Sequence, residues 1–309
     1  MEYLHDYKKA SFNLPVINEL AEIDVQKLIS DSEKIYRKQM DKIVEDILSN
    51  NKIKIVLMAG PSSSGKTTSS NIIMKKLAKK GYESIVVSLD NFFLNREKTP
   101  RLPNGDYDFE NVTALDLEYL HVFINDLFDK GEADMPIFDF KAGQRESEYE
   151  KIRVKDNTIV IIEGIHALNP IVFNSHLENM YRIYICVNSN FDADGQTIIP
   201  AQKLRLMRRL IRDYYHRGMS IKRTFDIWPN VLAGESIYIK PYKNTADFLI
   251  NSTHAYEPLM YAYMLLPILK NEEADETAQD IIKMLENCSP ISTDYLPDGS
   301  LLHEFLDMD

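Results

Sequence analysis

The segment Gly60-Pro-Ser-Ser-Ser-Gly-Lys66-Thr67 matches the pattern G-x-x-x-x-G-K-[ST] of a phosphate-binding loop. It follows the apolar run Ile53–Ala59 and opens a stretch with helical character, Lys66–Lys80. A strand, a glycine-rich turn and a helix are the context that this motif needs, because backbone N–H groups and the helix N-terminus then surround one anion. We predict a nucleoside triphosphate site with Lys66 on the β- and γ-phosphates and Thr67 on Mg²⁺. The motif alone leaves kinases, GTPases and ATPases open.

Length and charge narrow the class of protein. The chain has 309 residues and a formal net charge of −11, which disfavours nucleic acid as a partner. Two cysteines make no disulfide framework and fit a reducing compartment. No apolar run approaches the roughly 18 residues that a membrane span needs. We expect a cytoplasmic enzyme with neither nucleic acid nor membrane as a partner.

Short segments rich in valine and isoleucine alternate with helical segments. The strand candidates are 53–59, 84–89, 158–162, 182–187 and 248–250. Strands that are apolar throughout and separated by helices predict a parallel sheet covered on both faces. Residues 136–156 are charged and extended, which indicates a hairpin, and residues 30–50 have the apolar spacing of an amphipathic helix.

Two carboxylates follow predicted strands directly. Asp90 comes after the strand 84–89, and Glu163 comes after the strand 158–162. Ligands of open α/β sheets lie beyond the carboxyl ends of the strands, which is also where the phosphate loop lies. Glu163 can therefore hold Mg²⁺, and Asp90 can accept a proton from an attacking hydroxyl while facing the metal. For either residue, a helix cap or a surface charge is the alternative interpretation.

The stretch Lys203–Arg223 contains eight Lys/Arg residues against one acid, Asp213. On a helical wheel the apolar residues Leu204, Met207, Ile211 and Tyr214 share one face, and Arg205, Arg208, Arg209 and Arg212 share an adjacent arc. Arginines on one arc repel one another unless an anion is shared, so the pattern predicts a lid over a polyphosphate. A solvated helix whose arginines pair with acids elsewhere is the alternative.

Six blocks between about Ile53 and Asn251 together resemble the uridine kinase/phosphoribulokinase family of P-loop kinases. They are GPSSSGKTT (60–68), LDNFF (89–93), YDFENVTALD (107–116), PIFDFKAGQR (136–145), IVIIEGIHAL (159–168) and RLMRRLIRDYYHRG (205–218). The resemblance implies an α/β P-loop NTPase fold: a three-layer sandwich with a central parallel sheet and an arginine-rich lid at about 200–240. It also implies transfer of the γ-phosphoryl group of ATP, with Mg²⁺, to the 5′-hydroxyl of uridine or cytidine in pyrimidine salvage. Members of the family often form homo-oligomers.

The resemblance also implies roles for individual residues. The expected catalytic residues are Asp90, Lys66, Arg208 and Arg212. The expected ATP-binding residues are Gly60, Pro61, Ser62, Ser63, Ser64, Gly65, Lys66, Thr67, Thr68, Arg209 and Arg217. Acceptor binding is expected from Asp108, Glu110, Phe138, Arg145 and Arg205, and Mg²⁺ binding from Thr67, Glu163 and Asp90.

The sequence departs from the family where uridine–cytidine kinases contact the pyrimidine. Phe138 stands in place of a tyrosine and Gly143 in place of a histidine, so both polar groups are missing. His166 or Gln144 are the candidates to replace them. Three functions therefore stay open: a pyrimidine nucleoside kinase, a kinase of another nucleoside or a sugar phosphate, and a non-catalytic ATP-binding regulator.

The expected organisation has three parts. Residues 1–50 form an N-terminal helical segment, a candidate remnant of an upstream domain such as the threonyl-tRNA synthetase-like segment of longer members. Residues 51–256 form the kinase core, and residues 257–309 form a helical tail packed on it.

Overall fold

A computed structural model describes residues 10–140, 142–155, 157–173, 179–271 and 276–307. The strands are β1 (Ala10–Asn13), β2 (Ile55–Ala59), β3 (Ser84–Ser88), β4 (Glu132–Asp139), β5 (Gln144–Arg153), β6 (Ile159–Glu163), β7 (Met180–Cys186), β8 (Ser189–Ala193), β9 (Gln196–Ile199) and β10 (Phe248–Asn251). The α-helices are α1 (Leu14–Ser49), α2 (Lys66–Lys79), α3 (Leu117–Asp129), α4 (Ala201–Arg217), α5 (Ile221–Tyr238), α6 (Glu257–Asn271), α7 (Glu276–Leu285) and α8 (His303–Leu306).

Five parallel strands form the central sheet, in the spatial order β10–β7–β2–β6–β3. The middle strand β2 is buried along its whole length. Because successive side chains of a strand point to opposite faces, Val56 and Met58 enter one hydrophobic core, whereas Ile55, Leu57 and Ala59 enter the other. Helices therefore cover the sheet on both faces, which confirms the predicted three-layer α/β class.

The predicted central strands agree with the structure to within two residues at each end. The predicted hairpin is also confirmed: β4 and β5 pair antiparallel, with a register shift between Pro136 and Phe138. The small sheet β1–β8–β9 was not predicted. Its strand β1 is four residues long and pairs parallel with a strand nearly 180 residues later, so no local pattern marks it.

The N-terminal helix starts earlier than the expected residue 30. Helix α1 begins at Leu14, with Pro15 in its first turn, where a missing N–H costs nothing. The Asn13 side chain caps it by accepting a hydrogen bond from the Val16 N–H at 3.1 Å. Asp24 interrupts the helix with φ −157° and caps the second segment by accepting from the Lys27 N–H at 2.9 Å. Pro15 and Asp24 are therefore local signals of the two helix starts.

Helix α1 packs into the core beside the phosphate loop. Met40, Ile43 and Ile47 are at most 1% exposed. The Tyr36 hydroxyl lies 2.7 Å from the hydroxyl of Ser69 on α2, in a buried contact. The Gln39 side chain bonds both backbone groups of Asn251 on β10, donating to the C=O at 3.0 Å and accepting from the N–H at 2.9 Å. These contacts tie the N-terminal segment to the strand and the helix that flank the loop.

The basic stretch forms two helices rather than one. Helix α4 ends at Arg217 and is capped by Gly218, whose φ of +60° suits glycine, and α5 begins at Ile221. Leu204, Met207 and Ile211 are fully buried, as the apolar face predicts. Tyr214, near the end of α4, is 37% exposed instead.

Within the described ranges, no helix has both the length and the apolar character needed to cross a bilayer.

Ile43→Ala is expected to destabilise the protein by about 2–5 kcal/mol, because it leaves a cavity in a fully buried site. Ile23→Ala on the same helix is the matched control, since Ile23 is 72% exposed and should change stability by less than about 0.5 kcal/mol. Urea unfolding of the two variants measures the difference. Equal effects would contradict the packing of α1 described above.

Candidate active site

The loop between β2 and α2 has the backbone of an anion cradle. A side chain at Gly60 would overlap the carbonyl oxygen of Ile185 on β7, so only glycine lets the loop leave the sheet here. Gly65 caps α2 with φ +92°, and Ser63 has φ +59°. These left-handed conformations curve the loop around the N-terminus of α2, where backbone N–H groups and the helix dipole favour a phosphate.

Side chains of the loop also fit a phosphate. The hydroxyls of Ser63 and Ser64 are buried and have no hydrogen-bond partner among the described residues. Buried polar groups are ordinarily paired, so unpaired hydroxyls in this loop are what a bound anion would satisfy. The Lys66 ammonium donates to the Pro61 carbonyl oxygen at 3.2 Å, which holds the lysine against its own loop.

The two predicted carboxylates lie next to each other at the end of the sheet. Strands β3 and β6 are neighbours, with Ser88 opposite Glu163, and Asp90 follows two residues after Ser88. The Thr67 hydroxyl donates to Glu163 at 3.3 Å. Burial, and to a smaller extent the nearby negative charge of Asp90, raise the pKa of Glu163 to about 7.

This electrostatic arrangement fits a divalent cation. A cation between the Thr67 hydroxyl and the carboxylates would relieve both the burial of Glu163 and its repulsion by Asp90. The described residues contain no group of three His, Cys, Asp or Glu side chains that could hold a metal. Mg²⁺ does not need such a group, because it binds through one or two carboxylates, substrate phosphates and water.

The first arginines of α4 support the loop from outside. Arg208 is fully buried, bonds Glu257 at 2.8 and 3.0 Å, and lies 3.5 Å from the Ser63 carbonyl oxygen. Arg205 forms a buried ion pair with Glu235 and donates to the Ser62 carbonyl oxygen at 3.2 Å. Each of these arginines has its own carboxylate, so they brace the loop instead of facing a polyphosphate as the lid interpretation expects. The alternative interpretation, a solvated helix whose arginines pair with acids elsewhere, is right about the pairing of these two arginines and wrong about their solvation, because both are buried.

The later arginines have an excess of positive charge. Arg209, Arg212 and Arg217 all approach one buried carboxylate, Asp213, at 3.1, 2.8 and 3.8 Å. Burial and the neighbouring Arg212 lower the pKa of Arg209, and Arg209 also donates to the Ser62 hydroxyl at 2.8 Å. Three guanidinium groups on one carboxylate leave two positive charges beside the loop, which is where a phosphate would be stabilised.

Three of the predicted acceptor residues, Glu110, Phe138 and Asp108, have different surroundings. Glu110 is close to the transfer centre: burial raises its pKa, whereas the charges of Arg209, Arg205 and Lys66 lower it, and one of its oxygens is buried without a partner among the described residues. Phe138 lies in β4 within an aromatic cluster described below. Asp108 is half-buried, two residues before Glu110.

Arg145 makes structural contacts that the sequence does not indicate. Its guanidinium bonds Asp116 at 2.9 Å and the Phe92 carbonyl oxygen at 3.0 Å, and it lies over the ring of Tyr119. The backbone N–H of Arg145 donates to the Asn95 side chain at 3.0 Å. These contacts fasten the hairpin β4–β5 to the loop after β3, while the Arg145 Nε is buried without a partner among the described residues. Acceptor binding by Arg145 stays a prediction.

His166 is buried, and neither ring nitrogen has a hydrogen-bond partner among the described residues. Burial and the charge of Lys66 lower its pKa to about 4, so the ring is neutral at pH 7. Its T-shaped contact with the ring of Tyr238, at 6.4 Å between centroids, places it next to α5. His166 is one of the candidates to replace the missing polar contact to the base. It lies next to Lys66 and is not part of the aromatic cluster.

The C-terminal segment contributes two residues that no motif indicates. Leu301 is fully buried against Gly65, where a side chain on the glycine would overlap it. The Thr68 hydroxyl donates to Glu304 at 2.8 Å across 236 residues of sequence. Glu304 also contributes to the raised pKa of Glu163, so it adds a negative charge to the phosphate side of the site.

The raised pKa of Glu163 predicts a pH-dependent stability without metal and nucleotide. Between pH 4.5 and about 7, the folded protein keeps a proton that the unfolded chain releases, so stability falls as pH rises through this range. Glu163→Gln carries no such proton, and we expect its Tm to exceed the wild-type Tm more at pH 8 than at pH 5. Thermal unfolding in EDTA measures this, with the exposed residue Glu276 as the matched control (Glu276→Gln). A Tm difference that is equal at the two pH values would contradict the raised pKa.

Glu304→Gln is expected to strengthen binding of Mg·ATP. A glutamine can still accept the Thr68 hydrogen bond, but it removes a negative charge near the phosphates, worth about 1–2 kcal/mol or on the order of tenfold in Kd. Isothermal titration with a non-hydrolysable ATP analogue measures the change, and Glu276→Gln again is the control. Weaker binding by Glu304→Gln would show that the carboxylate helps to hold the nucleotide.

Comparisons with known proteins agree with this geometry. Residues 55–257 match the model of the phosphoribulokinase/uridine kinase family. The uridine kinase of Ligilactobacillus salivarius is 28% identical over 201 residues, covering 65% of this chain and 85% of that protein. The uridine kinase of Bacillus subtilis is 27% identical over 197 residues, covering 63% of this chain and 84% of its own length.

Among solved structures, the fold is similar to that of a protein provisionally described as a fructose transport system kinase from Silicibacter sp. TM1040. The TM-score is 0.50 at 18% sequence identity, covering 68% of this chain and 98% of the other. This likeness concerns the fold alone. The family match, by contrast, spans the loop, both carboxylates and the arginines of α4. The chain belongs to the phosphoribulokinase/uridine kinase family.

Proposed function

We propose that the protein is an ATP-dependent kinase that phosphorylates the 5′-hydroxyl of a nucleoside, with uridine and cytidine as the first acceptors to test. The observation that carries the proposal is the pair of carboxylates, Asp90 and Glu163, at the ends of adjacent strands beside Lys66 and Thr67. A site for triphosphate binding alone needs one metal-linked acid. A second carboxylate at the same edge supplies the base that an acceptor hydroxyl requires. The names of the related uridine kinases support the same acceptor class.

In the proposed mechanism, the loop and Lys66 hold the triphosphate, and Thr67, Glu163 and Asp90 would hold Mg²⁺, which would neutralise phosphate charge. Asp90 accepts a hydrogen bond from the acceptor hydroxyl and takes its proton as the oxygen attacks the γ-phosphorus in line. The bond from the γ-phosphorus to the β,γ-bridging oxygen breaks, and ADP leaves with that oxygen. Arg209, Arg212 and Arg217 supply the excess positive charge for the transferring group. The homo-oligomeric state and the cytoplasmic location stay predictions.

The test is ADP release with Mg·ATP and a panel of uridine, cytidine, guanosine, adenosine and ribulose 5-phosphate. We expect a nucleoside to stimulate ADP release, and we expect Asp90→Asn to lower kcat roughly 10²–10⁴-fold because the base is lost. Binding of the ATP analogue should be retained. Asp280→Asn, an exposed residue on α7, is the control and should keep full activity.

Stimulation by ribulose 5-phosphate alone would keep the kinase mechanism and overturn the nucleoside. If no acceptor stimulates ADP release while the analogue still binds, the enzyme assignment falls in favour of an ATP-binding regulator. Near-wild-type kcat in Asp90→Asn would remove Asp90 as the base.

A further inference from the structure

An aromatic cluster lies beside the carboxylates, formed by rings with centroids 5.0–6.4 Å apart. Its members are Phe93, Tyr107, Phe109, Phe138 and Phe140. Two of them are accessible, since Phe109 is 40% and Phe140 is 53% exposed. Partly exposed aromatic rings gathered at one place are typical of a binding surface for a flat ligand.

The cluster adjoins the transfer centre along the chain on two sides. Phe93 belongs to the loop that carries Asp90, and Phe109 directly precedes Glu110, whose pKa responds to the charges of Lys66 and Arg209. The loop and the hairpin are joined here, because the Phe138 N–H donates to the Asn91 side chain at 3.3 Å. A ring held on this cluster therefore lies on the acceptor side of the site.

One guanidinium group lies at the rim of the cluster. The backbone N–H of Arg96 donates to the Gly143 carbonyl oxygen at 2.8 Å, and its side chain covers Gly143 so closely that a Cβ there would lie 2.5 Å from Nε. The guanidinium carbon is 6.0 Å from the centroid of Tyr107, and one terminal nitrogen donates to the Phe140 carbonyl oxygen at 3.4 Å. Gly143 thus leaves room for a side chain that comes from another loop.

The Arg96 guanidinium has N–H donors without a partner among the described residues. Among the described residues, the long bond to Phe140 is its one hydrogen bond, and it has no ion-pair partner there. Arginine carries five N–H donors and no acceptor, so it can pair only with ligand atoms that accept hydrogen bonds. Arg101 differs, because it bonds the Gly105 carbonyl oxygen and the Tyr107 hydroxyl and stacks on that ring.

The family resemblance already implies that the acceptor base lies near Phe138 and Gly143. We propose that Arg96, which fills the space over Gly143, selects bases that present a carbonyl oxygen over bases that present an amino group. This inference rests on the proposed nucleoside kinase function and adds a specificity residue to it. Uracil and guanine present a carbonyl oxygen where cytosine and adenine present an NH₂ donor. A donor-only guanidinium pairs with the first group and leaves the second facing another donor. The acceptor is then uridine or guanosine rather than cytidine or adenosine.

The experiment compares kcat/KM for uridine, cytidine, guanosine and adenosine in the wild type and in Arg96→Gln. Uridine and guanosine are the keto nucleosides, and cytidine and adenosine are their amino counterparts. For the keto nucleoside with the higher kcat/KM, we expect the wild type to prefer it over its amino counterpart by about tenfold or more, from one well-placed guanidinium contact. Arg96→Gln should bring this ratio to within about threefold, because an amide both donates and accepts. Arg96→Lys keeps the charge but loses the planar fork, so it should recover only part of the preference.

The matched control is Arg153→Gln, on the exposed far end of β5, which should keep the wild-type ratios. Binding of the ATP analogue should be equal in all variants, which separates an acceptor effect from misfolding. If the wild type uses the better of uridine and guanosine no more efficiently than its amino counterpart, or if Arg96→Gln keeps the wild-type preference, the role of Arg96 is overturned and the kinase stays intact. If the wild type uses no nucleoside, the proposed function itself fails, and the base selection fails with it.

Discussion

The phosphate loop is held in shape by ion pairs that lie outside it. Arg208 with Glu257, and Arg205 with Glu235, are buried pairs whose guanidinium groups reach the loop carbonyl oxygens. A buried pair stabilises little by itself, since both charges give up water. Its value here is geometric, because it fixes donors against the loop backbone and so keeps the N–H groups pointing inward at the anion.

The same loop depends on the distribution of charge around it. Glu163, Asp90 and Glu304 are negative neighbours, whereas Lys66 and the three arginines that share Asp213 are positive. Without nucleotide and metal, like charges are close on both sides, and after burial they are the next cause of the raised pKa of Glu163 and the lowered pKa of Arg209. Mg·ATP carries a positive metal ion that can balance the carboxylates and negative phosphates that can balance the lysine and the arginines. The affinity of such a site comes in part from repulsion already present in the free protein.

Sequence patterns predicted the parts of the molecule that depend on local chemistry. The central strands, the hairpin, the phosphate loop and the two carboxylates follow from runs of apolar residues and from residues next to strand ends. The roles of Arg208 and Arg145 could not be predicted, because a motif shows that an arginine is present but not which acid lies opposite it. Glu257 and Asp116 are 49 and 29 residues from their partners. The contact of Arg96 with Gly143 likewise depends on how two loops meet.

The C-terminal segment completes the loop from the far end of the chain. Leu301 packs on Gly65, and Glu304 accepts from Thr68, so the loop acquires these neighbours only after 236 further residues have been made. During translation the glycine-rich turn thus emerges long before the side chains that close it from behind. The loop therefore acquires its last neighbours later in synthesis than β10, the last strand of the central sheet, so the strands that carry the triphosphate site are made before the side chains that close it.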